Sequence, residues 1–306
     1  MRSLERLSLT LLVVATVLPA TYAQKPHLAI LREKTTSALE DIAHRTGGVL
    51  GVAALDLTSG ESFAINEDLV FPQGSAIKIP VLMEVWKQAS EGAFTLGDKR
   101  PVPKSVMVAG SGVLQFFGDG TSELSIRDLA VLMIILSDNT ATNILIDLVG
   151  MERINETMAS LGLKHTRVQR RMIDEAASAR NDENLSTPYE AVEIMKILYN
   201  GSFLNREACD EMLEILKLPK GGGIKRGLPS GVAIAFKPGG IAGVATEWAL
   251  VYAERRPFAV AVMQNYGARG DTTDPMRDIG ALLYDYYWRL GNSTGHGTYV
   301  TPSLLK

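Results

Sequence analysis

A serine followed three residues later by a lysine stands at the start of an apolar segment with a helical pattern. Ser75 and Lys78 are one turn apart, so their hydroxyl and amine share one helix face. Residues 76–85 offer little polar surface, which predicts a partly buried Lys78. Burial lowers the pKa of an ammonium, and the resulting neutral amine can accept the serine proton. The pair predicts an activated nucleophile, although a capping serine beside a solvated lysine has the same spacing.

Two further polar motifs follow Ser75, at separations of roughly sixty and one hundred residues. Ser137, Asp138 and Asn139 stand between two helical patterns, and residues 237–240 (Lys-Pro-Gly-Gly) follow an apolar strand. Each motif alone has a structural interpretation, a helix cap for the first and a strand-ending turn for the second. The order S-x-x-K, S-D-N, K-T-G is a signature of class A β-lactamases and penicillin-binding proteins.

The chain therefore resembles the class A β-lactamase family of penicillin-recognising serine hydrolases over nearly all of the mature sequence. The resemblance extends to residues 110–115, 137–143 and 226–229. It implies an enzyme that forms an acyl-enzyme and hydrolyses a β-lactam amide without a cofactor. The implied fold is α/β (α+β), with a sheet built from N- and C-terminal strands, flanked by helices, and an inserted all-helical domain.

The resemblance assigns the acylation chemistry to three residues. Ser75 attacks the amide carbonyl and becomes acylated, and Lys78 belongs to the proton relay. Ser137 carries a proton toward the leaving nitrogen. These assignments predict that the first two motifs meet in the folded protein.

Substrate binding is assigned to the second and third motifs. Asn139 binds the substrate side-chain amide, and Lys237 supplies positive charge near Ser137 and the substrate carboxylate. Gly239 and Gly240 belong to the binding strand, and the backbone N–H groups of Ser75 and Gly240 form the oxyanion hole.

The third motif departs from the family pattern at its second position. The family has Thr or Ser there, whose hydroxyl contacts the substrate carboxylate, whereas this chain has Pro238. Proline has neither a hydroxyl nor an N–H to donate. Carboxylate binding is therefore expected to be weaker or to come from another group.

The loop that supplies the deacylating glutamate in the family also departs from the pattern R-x-E-x-x-L-N. Aligning Arg170 with the arginine places Met172 where the glutamate belongs, and a thioether cannot accept a proton. Asp174 or Glu175 would replace the glutamate if the loop were aligned differently with the family pattern. Both residues are equally consistent with charged side chains of a loop that only contact solvent. Penicillin-binding proteins related to class A also lack this glutamate, and this loop resembles theirs.

Three functions remain open at this stage. A carboxylate that positions water makes the protein a β-lactamase, whereas its absence makes it a penicillin-binding D-alanyl-D-alanine carboxypeptidase or peptidoglycan amidase with slow β-lactam release. A non-catalytic penicillin sensor is the third alternative, and the retained Ser75, Lys78 and Lys237 argue against it. The expected partner is a small-molecule β-lactam or a peptidoglycan stem peptide, bound by a monomer.

Composition excludes other classes of function. The net charge is -3 with no dense basic block, which argues against nucleic acid as a partner. The four histidines are scattered and Cys209 is the only cysteine, so neither a metal site nor an intramolecular disulfide is expected. Ser293 fits G-x-S-x-G, but that motif needs a strand before it and a helix after it, and here a helical pattern precedes it.

The N-terminus predicts export, and the order of elements predicts two structural parts. Arg2 and Arg6 precede an apolar run that ends in a small-residue cleavage site at Ala23, so residues 1–23 are interpreted as a signal peptide. The protein is then expected in the periplasm or secreted. Residues 24–66 and 219–306 form the predicted sheet domain and 67–218 the helical domain, with the active site at their junction.

Overall fold

The computed structural model describes residues 26–118 and 120–300. The predicted signal peptide, residues 1–23, lies outside the described residues. Within those two ranges, no helix combines the length and the apolar character needed to cross a membrane.

Strands from both ends of the chain pair in one antiparallel sheet of five strands, and two short strand pairs lie between them in sequence. The apolar, β-branched runs predicted as strands all contribute to this sheet. The strands of the described residues are β1 (Val49–Asp56), β2 (Ser62–Ile65), β3 (Phe71–Pro72), β4 (Lys99–Pro101), β5 (Glu123–Ser125), β6 (Leu185–Ser186), β7 (Ile234–Ile241), β8 (Val244–Val251) and β9 (Phe258–Asn265).

Helices cover both faces of the sheet, whose strand order is β2-β1-β9-β8-β7. The first and last helices pack on one face, and the central helices pack on the other and on one another. The described α-helices are α1 (Pro26–Arg45), α2 (Lys78–Ser90), α3 (Ile126–Ile135), α4 (Asn139–Val149), α5 (Met151–Ser160), α6 (Glu175–Ala179), α7 (Pro188–Asn200), α8 (Arg206–Lys217), α9 (Gly223–Gly227) and α10 (Pro275–Gly291).

Side-chain alternation along β7 decides which face carries the third motif. Ile234 and Phe236 pack with the terminal helices, whereas Ala235 packs in the core of the central helices. Because successive side chains of a strand point to opposite faces, Lys237 lies on the same face as Ala235. The lysine is thereby directed toward the helical segment and the serine motifs.

The fold class predicted from the sequence is confirmed. One hydrophobic core joins the central helices to the sheet, with Leu82, Met195 and Trp248 among its completely buried members, and another lies between the sheet and the terminal helices. The proposed domain boundaries at residues 66–67 and 218–219 stay a prediction.

The structure corrects the predicted extent of the strand that carries Lys237. The sequence predicts a strand over residues 232–236 and allows a turn after it, whereas β7 runs from Ile234 to Ile241 and includes the whole motif. A proline interrupts a central strand because it has no N–H for the ladder, but β7 is the edge of the sheet. Pro238 therefore pairs with Glu247 without breaking the strand.

Candidate active site

Ser75 lies in a 3₁₀ turn, Gly74–Ile77, rather than in the first turn of an α-helix as predicted. The residue before the turn, Gln73, is completely buried. Its side-chain Oε1 accepts a hydrogen bond from Trp248 Nε1 at 2.9 Å, and its backbone O accepts one from Thr246 Oγ1 at 2.8 Å. These bonds fix the serine turn to β8. The residues around Gln73 in the sequence do not indicate this role.

Lys78 is the first residue of α2 and is completely buried. Its Nζ donates to the backbone O of Ser137 at 2.6 Å, to Ser137 Oγ at 3.0 Å and to Asn139 Oδ1 at 3.0 Å. Burial, assisted by the nearby charge of Lys237 and opposed by that of Asp138, holds the pKa of Lys78 well below the usual lysine value. The three donated bonds use all the N–H groups of an ammonium; a neutral amine keeps two of them and gains a lone pair, so the lowered pKa favours a lysine that can accept a proton.

Ser137 connects the two lysines of the motifs. It lies in the break between α3 and α4, with φ of 52°. Its Oγ receives hydrogen bonds from Lys78 Nζ at 3.0 Å and from Lys237 Nζ at 3.1 Å. Non-glycine residues seldom adopt positive φ, and such conformations cluster at functional sites. The Ser137 hydroxyl thus links Lys78 of the helical segment to Lys237 of the sheet, and protons can be exchanged along these hydrogen bonds.

Asp138 anchors the break to the loop that borders the site, a role that the sequence analysis missed. Its Oδ1 accepts from Ala141 N at 2.9 Å and caps α4, while its Oδ2 accepts from Val113 N at 2.7 Å and Leu114 N at 2.9 Å. A Cβ on Gly112, where φ is +105°, would lie 2.2 Å from that Oδ2. The cap could be inferred from the sequence, whereas the contact with the loop depends on tertiary structure.

Replacing Asp138 by alanine should lower the free energy of unfolding by roughly 2–4 kcal/mol, because three backbone N–H groups lose a charged, buried acceptor. Ser125→Ala is the matched control, since its hydroxyl caps α3 through Asp128 alone, accepting from its N at 3.0 Å and donating to its Oδ2 at 2.6 Å. That loss should be about 1 kcal/mol. Urea unfolding of both variants checks the difference, and equal losses would contradict the anchoring role.

The edge strand β7 passes close beside the serine turn. A Cβ on Gly239 would lie 2.3 Å from the backbone O of Gln73, and a Cβ on Gly74 would lie 2.7 Å from Gly240 N. Side chains at either glycine would push the strand away from the turn. The approach places the backbone N–H of Gly240 beside the turn of Ser75, the arrangement that an oxyanion hole requires.

Lys237 shares its surroundings with two further ionisable groups, the buried Glu247 and the half-buried Lys220. Its Nζ also donates to Pro238 O at 2.7 Å. Burial, assisted by the charge of Lys220 and opposed by that of Glu247, lowers the pKa of Lys237 to about 7. Burial also lowers the pKa of Lys220 to about 7, with the charge of Lys225 adding to the effect. The charge of Lys237 is therefore sensitive to pH near neutrality.

Glu247 is a second residue that the sequence analysis missed. It is completely buried on β8, and its Oε2 accepts from Gly223 N at 2.6 Å. Its Oε1 has no hydrogen-bond partner among the described residues. Burial raises the pKa of Glu247 to about 7. The only signal in the sequence was a single charged residue within an otherwise uncharged strand.

The loop that includes residues 170–184 is held firmly against the site. Arg170 Nη2 and Glu183 Oε2 form an ion pair at 2.8 Å. Asn143 binds the backbone of Met172 on both sides, accepting from its N at 2.8 Å and donating to its O at 3.1 Å. Met172 is buried at the cavity wall. The position predicted for the missing glutamate is thus fixed beside Ser75.

The two candidate deacylation carboxylates follow Met172 in the same loop. Asp174 Oδ1 accepts from Ala177 N at 2.9 Å and caps α6, and Glu175 is exposed. The intervening Ile173 has φ of 62°, a rare conformation for a β-branched residue. Both carboxylates line the cavity, but one oxygen of Asp174 is already engaged by the cap.

A cavity of about 270 Å³ lies between the serine turn, the two loops and β7. Ser75, Asn139, Gly240, Asp174 and Glu175 line it, while the Lys78, Ser137 and Lys237 network is buried next to them. The candidate residues are thus brought together. The complete lining is Gly74, Ser75, Gly110, Ser111, Asn139, Arg170, Met172, Ile173, Asp174, Glu175, Ser178, Asn184, Gly240 and Ile241.

The architecture is that of the β-lactamases and their penicillin-binding relatives. A β-lactamase from Sphaerobacter thermophilus superposes with a TM-score of 0.75 at 28% identity, covering 85% of this chain and 97% of that one. PBP-A superposes with a TM-score of 0.74 at 26% identity, covering 82% and 95%. A β-lactamase of Rhodobacter capsulatus is 27% identical over 196 residues, 62% of this chain and 66% of that protein. The model of the β-lactamase enzyme family matches residues 34–287, and the chain belongs to this family. The resemblance inferred from the three motifs is confirmed.

Proposed function

We propose that this chain is a serine hydrolase that opens the β-lactam amide through an acyl-enzyme on Ser75. The observation that carries the proposal is the Ser137 hydroxyl, hydrogen-bonded to both Lys78 and Lys237 beside the cavity that Ser75 lines. Membership of the β-lactamase enzyme family supports the same reaction.

The acylation step moves one proton from the nucleophile to the leaving group. Neutral Lys78 takes the proton of Ser75 as Oγ bonds to the carbonyl carbon, and the N–H groups of Ser75 and Gly240 stabilise the oxyanion. The C–N bond then breaks as Ser137 gives its proton to the nitrogen. Lys78 returns a proton to Ser137 through their 3.0 Å hydrogen bond, which restores the neutral amine.

Substrate binding is proposed to rest on Lys237 and Asn139. The Lys237 ammonium attracts the substrate carboxylate, and no hydroxyl at Pro238 assists it. Asn139 lines the cavity and is oriented by Lys78 Nζ and by Ala109 O, which accepts from its Nδ2 at 3.2 Å. Its amide is therefore already positioned for the amide of an acyl side chain.

Acylation by penicillins should show a bell-shaped pH dependence. Lys237 loses its proton as the pH rises through about 7 and then no longer attracts the substrate carboxylate. On the acid side, Lys78 gains a proton and loses its function as a base. Stopped-flow measurement of the second-order acylation rate between pH 4.5 and 9.5 tests both limbs.

Lys237→Arg provides the control for the alkaline limb. The guanidinium stays charged across this pH range, so the limb should move upward by at least about one pH unit. An alkaline limb that does not move in this variant would contradict the assignment to Lys237.

A second candidate function follows from the loop at Met172. Its thioether lines the cavity and cannot activate water, and Asp174 is engaged as a cap. With slow deacylation, the protein would be a penicillin-binding carboxypeptidase or peptidoglycan amidase acting on D-alanyl-D-alanine stem peptides. The likeness to PBP-A supports this alternative.

One set of assays separates the two functions. The mature protein is incubated with benzylpenicillin and with a chromogenic cephalosporin while product and intact mass are followed over time. Turnover without a lasting adduct supports the β-lactamase, and a lasting adduct together with release of D-alanine from a stem peptide supports the peptidase. Neither turnover nor an adduct would contradict the proposed acylation.

Export to the periplasm or the medium is proposed from the N-terminal sequence, together with action as a monomer. Arg2, Arg6 and the apolar run before Ala23 support cleavage near that alanine. Expression of the full chain with its leader, followed by N-terminal sequencing of the exported product, tests the cleavage. Light scattering on the same product tests the monomer.

A further inference from the structure

The charged groups of the Ser75 cavity are separated into two ends. Next to one end, Lys237 is buried and its Nζ donates to Ser137 Oγ at 3.1 Å. At the other end, Asp174 and Glu175 line the wall formed by the loop. A ligand whose carboxylate is held by the Lys237 ammonium thus meets negative charge at its opposite end.

The single cation in the described lining does not neutralise the acidic end. Arg170 is bound by Glu183 through two hydrogen bonds, Nε to Oε2 at 3.0 Å and Nη2 to Oε2 at 2.8 Å. Their side chains are only 10% and 12% exposed, so the ion pair is turned away from solvent. Arg171, which lines an adjoining cavity with Asp174 and Glu175, is paired with Asp147. Both arginines near this end thus have another carboxylate partner, and the charge at this end is set by Asp174 and Glu175.

Two aliphatic side chains complete the acidic end. Ile173 and Ile241 line the cavity and are 46% and 39% exposed. Ile173 reaches across to the opposite loop, where a Cβ on Gly110 would lie 3.3 Å from its Cδ1. Exposed aliphatic groups inside a cavity favour an apolar ligand group. The end combines apolar contact with negative charge.

The proposed acylation fixes which part of the substrate meets this end. In a penicillin, the carboxylate lies on the nitrogen side of the scissile amide and the variable side chain lies on the acyl side. With the carboxylate at Lys237 and the carbonyl carbon at Ser75, we expect the acyl side chain to extend past Asn139 toward the loop. The cavity wall on that side is formed by Ile173, Asp174 and Glu175.

We propose that the wall formed by Ile173, Asp174, Glu175 and Ile241 selects acyl donors with an apolar or cationic side chain and rejects anionic ones. This inference rests on the proposed function. It assigns a substrate class to the site and makes the two carboxylates specificity determinants for acylation, independently of any part they take in deacylation.

Three penicillins that share a phenyl side chain and differ only at its α-carbon test the proposal. They are benzylpenicillin, α-aminobenzylpenicillin and α-carboxybenzylpenicillin, with a neutral, cationic and anionic side chain. At low ionic strength, the carboxy compound should acylate roughly 5- to 10-fold more slowly than benzylpenicillin, and the amino compound at least as fast. The difference should narrow at 0.5 M salt, an ionic strength at which charges are screened within roughly 4 Å.

The readout for variants is the ratio of acylation rates, carboxybenzylpenicillin over benzylpenicillin. Asp174→Asn combined with Glu175→Gln should raise this ratio toward one, and asparagine preserves the cap on α6. Glu207→Gln combined with Asp210→Asn is the matched control, because it removes the same two charges from exposed positions on α8 and should leave the ratio unchanged.

Two results would overturn the proposal. One is equal acylation by the three penicillins in the unmodified protein, and the other is a ratio that does not respond to the double substitution. Neither an adduct nor hydrolysis with any of the three penicillins overturns the proposed function itself, which separates that failure from a failure of side-chain selection.

Discussion

Met172→Glu should shorten the lifetime of the penicilloyl-enzyme by about 100-fold, because it places a carboxylate at the cavity wall where only a thioether stands. Asn143 holds the backbone of residue 172 from both sides, so the new side chain inherits a fixed position. That position is almost completely buried, which raises the pKa of a carboxyl group and makes it a better base. The lifetime is measured by intact mass after rapid removal of free penicillin.

Met172→Gln is the control for this experiment. Glutamine has the shape of glutamate without its basicity, so it reports any effect of polarity or repacking at the cavity wall. The lifetime of the penicilloyl-enzyme should be about 100-fold shorter in Met172→Glu than in Met172→Gln, whatever that lifetime is in the unmodified protein. Equal lifetimes in both would show that residue 172 does not reach the attacking water.

Removal of the Lys78 amine should slow acylation by about 10³-fold, within the range that a general base contributes. In Lys78→Ala, no amine remains to take the Ser75 proton, and Ser137 loses the hydrogen bonds to its O and Oγ. The second-order rate of penicilloyl-enzyme formation is the measurement, with circular dichroism and thermal unfolding as checks of folding.

Lys78→Arg separates the basic role of the lysine from its charge and hydrogen bonds. Arginine keeps a cation and several donors but does not lose its proton in proteins. If Lys78 acts as a neutral base, this variant should be nearly as slow as Lys78→Ala. Substantial acylation by a folded Lys78→Arg protein would show that charge, rather than basicity, is what the site needs.

The chemistry-bearing residues of this site were accessible from the sequence for a physical reason. A nucleophile and its base need particular side chains at a particular spacing, and Ser75 and Lys78 keep that spacing within one turn of chain. Because side chains alternate between the two faces of a strand, the strand before Lys237 places its side chain on the same face as Ser75 and Lys78. Their mutual contacts, through Ser137, then follow from the fold.

The supporting residues could not be predicted because their partners are distant in the sequence. Gln73 and Trp248 are 175 positions apart, and their hydrogen bond exists only when the serine turn packs on the sheet. Asp138 was recognisable as a helix cap, but its bonds to Val113 and Leu114 depend on how a loop folds back. Local sequence patterns do not indicate which distant residues will form hydrogen bonds in the folded protein.

The predicted strand was shorter than β7 because residues 238–240 favour a turn locally, whereas their position at the edge of the sheet favours a strand. Proline followed by two glycines indicates a turn in an isolated segment. On the edge of a sheet, Pro238 has no ladder bond to lose, and Gly239 is needed where the strand meets the serine turn. The residues that indicate a turn locally are the ones that let this strand approach the nucleophile.

Peptide mapping of the protein after a short incubation with benzylpenicillin tests the central claim most directly. We expect one penicilloyl group, bound as an ester to Ser75, and its complete loss in Ser75→Ala. An adduct on another residue, or neither an adduct nor hydrolysed penicillin in the unmodified protein, would contradict it.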